Sequence, residues 1–115
     1  MTEQNNSAVR LCGVDDLGVG EALSVCVAKT LSLAVINVNG EFFAIANECT
    51  HGAGVLTDGF VDEDVIVCPV HAGEFHIPSG KALDLPVSED LRTYAVWVEG
   101  ADVMADLNRP AQASS

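Results

Sequence analysis

Positive charge is what this chain has least of. Five basic side chains, Arg10, Lys29, Lys81, Arg92 and Arg109, stand against 17 Asp and Glu, for a formal net charge of −12. A nucleic-acid site needs clustered Lys and Arg to displace counterions from phosphates, so that class is excluded. Docking on an anionic membrane surface is disfavoured on the same ground. Long apolar runs are missing too: the longest are strand-length and broken by Asn37 or Gly40, so no segment is expected to span a membrane. The opening MTEQNNSAVR lacks a basic stretch followed by an apolar one, so no secretory leader is expected and the chain reads as soluble and cytoplasmic. No window sustains a 3.6-residue apolar period over a helical length.

What is present is a β rhythm. Apolar residues make up 49% of the 115 positions, enough for a core in one domain, 1–115. Short runs rich in Val, Ile, Leu and Phe, separated by Gly, Asn, Asp and Ser, predict strands over 8–14, 22–28, 31–38, 41–46, 64–67, 74–77, 91–98 and 102–106. Asn39-Gly40 is the strongest hairpin signal, because both central positions of such a turn need positive φ. Ser79-Gly80 and Glu99-Gly100 read as further turns. The expected class is all-β, a small antiparallel sandwich or barrel. The first six residues and a tail over 109–115 are expected to be flexible.

Two segments interrupt the strand pattern: Cys49-Thr50-His51-Gly52-Ala53-Gly54 and Cys68-Pro69-Val70-His71-Ala72-Gly73. Each sets a Cys two or three positions before a His, giving C-x-H, sixteen residues, then C-x-x-H. Four cysteines with no secretory signal argue for metal or redox chemistry more than for disulfides. Their glycines permit tight turns and close backbone approach, and such loops aim N–H groups at an anionic centre. Two thiolates and two neutral imidazoles suit a Rieske-type [2Fe–2S] cluster, with Cys49 and Cys68 on one iron and His51 and His71 on the other. Neutral His in place of two thiolates removes negative charge, so one added electron is accepted more readily; potentials of this cluster type span about −150 to +300 mV. The two imidazole edges are the expected exit for the electron. A structural zinc ion could use the same four side chains, although zinc ligands more often come as C-x(2–4)-C or H-x(3–5)-H pairs, whereas each pair here is mixed.

At these residues the chain resembles the Rieske ferredoxins of bacterial multicomponent aromatic-ring-hydroxylating dioxygenase systems. CTHG at 49–52, CPVHAGEF at 68–75 and GKALDLPVSEDLRTYAVWVEGADV at 80–103 carry the likeness. It implies a Rieske fold of three small antiparallel sheets, with a cluster-binding subdomain of about residues 47–77 at the tip. It also places Leu85-Pro86-Val87 as a proline loop near the cluster. Respiratory Rieske proteins have Cys, Cys, Ser and Tyr where this chain has Gly54, Val70, Gly73 and Phe75. Fewer hydrogen bonds to sulfur imply the low end of the potential range.

The implied function is that of a one-electron carrier and not of an enzyme. It would link a flavin-containing, NAD(P)H-dependent ferredoxin reductase to a terminal Rieske non-haem iron oxygenase, as a monomer. Ring hydroxylation itself needs an iron held by two His and a carboxylate, and with His51 and His71 committed only His76 remains. The alternative is the Rieske-like small subunit of an assimilatory nitrite reductase. Cys12 and Cys26, inside predicted strands, are expected to be buried inert thiols. His76 is expected to be a partly exposed strand residue and Trp97 a packing residue. The acidic group Asp58, Asp62, Glu63 and Asp64 is either a solvated turn or a docking patch for a basic partner.

Overall fold

Residues 33–36 (Leu-Ala-Val-Ile) form an unbroken apolar run, and such a run reads as a strand buried on both faces. In the computed structural model, which describes residues 8–48, 54–69, 73–83 and 90–111, that strand is the centre of the molecule. The described strands are β1 (Ala8–Gly13), β2 (Ala22–Ala28), β3 (Leu31–Val38), β4 (Glu41–Ala46), β5 (Phe60–Asp62), β6 (Val65–Val67), β7 (Glu74–His76), β8 (Thr93–Glu99) and β9 (Asp102–Asp106). Two single 3₁₀ turns, η1 (Val14–Asp16) and η2 (Leu56–Asp58), are the helical elements.

All described pairings are antiparallel. The halves β1-β9-β8 and β4-β3-β2 are joined by a short β4–β8 contact, Ala44 to Tyr94 and Ile45 to Thr93, into one six-stranded sheet. The separate sheet β5-β6-β7 is the third unit of the expected three. Successive β3 residues point to opposite faces. Ala34 and Ile36 therefore enter one core with Ile45, Leu56, Ile66, Cys68, Phe75, Ile77 and Leu91, which lies under the small sheet. Leu33 and Val35 enter a second core with Leu11, Cys12, Tyr94 and Val103.

Turn chemistry explains most strand ends. Asn39 and Gly40 have φ of 55° and 95°, as the hairpin reading requires, and the Asn37 side-chain oxygen accepts the Gly40 N–H at 2.8 Å. Gly80 has φ of 74°, and a Cβ there would collide with the Leu91 carbonyl, so no other residue fits that turn. The expected strand over 64–67 begins at Val65, because Glu63 turns the chain with φ of 57°. The expected strand over 91–98 begins at Thr93, since Leu91 instead donates to Gly80 and Arg92 accepts from Ala46. Strand β5 has no counterpart in the sequence reading; at three residues it is too short to show alternation. Residues 109–111 of the expected flexible tail are tied down: Ala95 donates to Arg109 at 3.0 Å and Ala111 to the Thr93 hydroxyl at 3.3 Å. No helix among the described residues is long and apolar enough to cross a membrane.

The two strand cysteines part company. Cys12 is buried, and burial followed by the nearby Asp16 charge pushes its thiol pKa up. Cys26 is exposed, which corrects the expectation of a buried thiol. It lies on β2, an edge strand whose outer face carries Ser24, Cys26 and Ala28 while its other face packs. Iodoacetamide at neutral pH is therefore expected to label Cys26 in the folded protein and to spare Cys12 until denaturant is added, as read by peptide mass spectrometry.

Candidate metal centre

Each of the two Cys/His segments leaves the end of a strand and is closed by backbone pairing. The first follows β4, and Glu48 pairs with Val55 across it. The second follows β6, and the Cys68 N–H donates to the Gly73 carbonyl at 2.8 Å, just before β7. Cys68 is 2% exposed and packs with Leu56, Ile66 and Phe75 in the core under the small sheet. Cys49, His51 and His71 lie outside the described residues, as do Val70 and the Leu85-Pro86-Val87 loop.

The two closures are brought together by η2. Its Leu56 is fully buried beside Cys68. At its C-terminal end Gly59 lies so close to the second segment that a Cβ would collide with the Val67 carbonyl and press on the Pro69 ring. Both contacts involve atoms next to Cys68 in the chain. Glycine is needed here for close approach rather than for an unusual φ, which is −89°.

A buried amide holds η2 to the rest of the molecule. Asn47, two residues before Cys49, is 2% exposed. Its Nδ2 lies 3.1 Å from the Ser24 hydroxyl, 3.2 Å from that of Ser32 and 3.1 Å from that of Thr57. Its Oδ1 accepts the Thr57 N–H at 3.0 Å, and its backbone carbonyl accepts the Leu56 N–H at 2.8 Å. The Asn47 N–H in turn donates to the Ser32 carbonyl at 3.1 Å. One side chain thus ties β2, β3 and η2 to the strand end that leads into Cys49. Neither Asn47, Thr57 nor Gly59 stands out in the sequence, and a single Asn at a strand end carries no local signal.

The remaining sequence candidates sit elsewhere. His76 is at the end of β7 away from the Cys68 segment, with Nδ1 2.7 Å from the Ser79 hydroxyl and Nε2 3.2 Å from Asp64 Oδ2. Asp58, Asp62, Glu63 and Asp64 are all exposed. Trp97 is half-buried and lines, with Phe43, Tyr94 and Arg109, an open surface cleft of about 580 Å³ on the large sheet. Phe75 is fully buried and Gly73 is buried, so neither position offers a hydroxyl to the second segment.

A sulfur donor already shielded from water, at the mouth of a loop closed by backbone pairing and tied through η2 to the strand end before Cys49, describes a chain built around a redox metal centre. The donor set fits an iron–sulfur group, since thiolates are its ligands and two imidazoles complete this cluster type. A Rieske [2Fe–2S] domain model matches residues 7–95, and the chain belongs to that family. It is 43% identical over 97 residues to the 3-phenylpropionate/cinnamic acid dioxygenase ferredoxin subunit of Shigella boydii serotype 4, covering 84% of this chain and 90% of that one. Among solved structures, Sphingomonas yanoikuyae B1 ferredoxin is 43% identical, with 85% of this chain and 96% of that one aligned at a TM-score of 0.82. A chain in the complex of reduced oxygenase and oxidized ferredoxin in carbazole 1,9a-dioxygenase is 29% identical, covering 93% and 98% at a TM-score of 0.85. A nitrite reductase small subunit from Mycobacterium tuberculosis shares the fold at 19% identity and a TM-score of 0.75. The protein thus carries one Rieske-type [2Fe–2S] cluster in place of zinc, and it transfers electrons without being an enzyme itself.

Replacing Asn47 by Leu keeps the volume but removes, from a buried position, the partner of the Ser24, Ser32 and Thr57 hydroxyls and of the Thr57 N–H. The expected cost is about 2 kcal/mol, the scale for leaving buried polar groups unpaired, read as a fall in the urea midpoint at unchanged m-value.

Proposed function

We propose that Cys49 and Cys68 hold one iron and His51 and His71 the other. In this reading the chain takes one electron from an NAD(P)H-dependent flavin reductase and passes it to a terminal Rieske non-haem iron oxygenase acting on an aromatic ring. When bound, the cluster supplies a one-electron store. Residues 47–77 make up the subdomain that carries it, on a single domain that works as a cytoplasmic monomer. The observation that carries this reading is the pinning, through η2, of the buried Cys68 to the strand end that leads into Cys49.

The parts of the chain have separate tasks. Cys68 and the apolar side chains around it exclude water from one side of the centre. His51 and His71 are the ligands through whose imidazole edges the electron would leave toward a partner. Phe75 and Gly73 withhold the hydroxyl donors that would draw negative charge off the sulfurs. The −12 net charge suits partners with basic docking faces. Relatives that are dioxygenase ferredoxin subunits favour this reading over the nitrite reductase subunit.

Ligand substitution tests the site. Cys68→Ser and His71→Ala are expected to lose the visible absorption that dithionite bleaches, whereas Cys12→Ser and Cys26→Ser keep it. Retention of a normal spectrum in the His71 variant would remove the ligand assignment. The midpoint potential is expected below about +100 mV, within the lower half of the range for this cluster type, by spectroelectrochemical titration. Reversing Asp62 and Glu63 to Lys is expected to flatten the salt dependence of electron transfer to the oxygenase; an unchanged slope would show these acids to be a solvated turn.

A further inference from the structure

The small sheet has two faces, and only one of them is used by the core. Val61, Ile66, Phe75 and Ala82 are successive cross-strand neighbours, and all four pack inward. The next row toward the second Cys/His segment is Phe60, Val67 and Glu74, paired in register, and Leu83 joins it by donating its N–H to the Glu74 carbonyl at 2.9 Å. Side chains alternate along each strand, so this row points to the opposite, outer face. Phe60 is 62% exposed and Leu83 47%. Val67 precedes Cys68 and Glu74 follows Gly73, so this is the rung of the sheet that adjoins the second segment.

The placement is selective. Five large apolar side chains are exposed among the described residues; Val55 and Phe60 belong to the proposed cluster-carrying part, 47–77, and Leu83 borders its sheet. Phe60 is the aromatic one, in a chain where aromatics make up 5%. Leaving it in water forgoes burial that covering by a partner would recover. Its surroundings are acidic: Glu74 lies in the same row, and Asp58 and Asp62 flank Phe60 in the chain and are exposed. The basic residue of this sheet's border, Lys81, sits beside His76 in the far row, away from Cys68. An apolar centre within a charged rim is the anatomy of a protein–protein interface, and aromatic anchors dominate the energy of such interfaces.

We propose that the outer row Phe60–Val67–Leu83 is a docking surface for the terminal oxygenase, whose matching face is an apolar recess bordered by Arg and Lys. Phe60 anchors the contact, while Glu74, Asp58 and Asp62 pair with the basic rim. Docking here sets the partner against the rung of the sheet that adjoins the second Cys/His segment. The occupant rests on the function proposed above; the surface itself rests on exposure, register and charge.

The test is stopped-flow reoxidation of the reduced, cluster-loaded protein by the oxygenase, as a function of oxygenase concentration. Phe60→Ser and Leu83→Ser are expected to lower the second-order rate constant, Phe60→Ser by about tenfold. Cluster absorption, midpoint potential and the saturating first-order rate are expected to stay at wild-type values, and Phe60→Tyr to restore the rate. An unchanged second-order constant in Phe60→Ser overturns the docking surface. So does a fall confined to the saturating rate, which would place the effect on the electron step. Wild-type protein that fails to reduce the oxygenase at any concentration overturns the proposed function, and the occupant with it.

Discussion

Everything near the cluster depends on one buried amide. Asn47 reaches three hydroxyls and a backbone N–H from a buried position, and these partners lie on three stretches of chain, β2, β3 and η2. In so enclosed a place the hydrogen bonds are strong and an unmet donor or acceptor is costly, so the four segments move together or not at all. Gly59 carries the constraint onward. The missing side chain lets η2 lie directly on the Val67 carbonyl, and Cys68 is the next residue. Cys68 and the strand end that leads into Cys49 are thereby tied to the same 3₁₀ turn. The proposed ligands come from both sides of that turn, so a small relative shift would disturb the proposed site.

The double burial of β3 explains how so small a chain can provide such rigidity. One strand serves as a wall for two cores, so Leu33 through Ile36 are fully buried without any helix covering the sheet. The core under the small sheet then contains Leu56, Ile66, Cys68, Phe75 and Ile77, all 2% exposed or less. The cluster-carrying sheet has strands of only three residues and could not stand alone. It is stable because its inner face completes a core that β3 and β4 begin. This also explains why its outer face is free for another protein: the inner face already supplies the packing.

The sequence made the large sheet legible. β2, β3, β4 and β9 begin and end where the apolar alternation and the turn residues place them, since those strands are long enough for period two to show. The Cys/His segments were legible because ligand chemistry restricts residue type more tightly than packing does. Three features were not. β5 is too short for a pattern, and its role is set by pairing with β6. Cys26 was misread because alternation gives two faces to an edge strand without saying which one is outside. Asn47 was missed because its partners lie 10 to 23 residues away, and long-range hydrogen bonding leaves no local mark.

A carrier and an enzyme make opposite demands on a metal site. An enzyme surrounds its metal with a cavity that admits substrate and keeps an open coordination position. Among the described residues an open surface cleft lies on the strands of the large sheet, bordered by Phe43, Tyr94 and Trp97. A carrier instead must store charge with little rearrangement, expose one edge and release its partner quickly. Rigid pinning by Asn47 and Gly59 meets the first demand and a hydroxyl-poor surround at Gly73 and Phe75 favours a reducing potential. A small apolar row with an acidic rim meets the third, because charge speeds encounter while the limited apolar contact keeps dissociation fast. These three properties come from different parts of the chain, so each can change without the others. That independence allows such a fold to be tuned to its partners while the cluster chemistry stays the same.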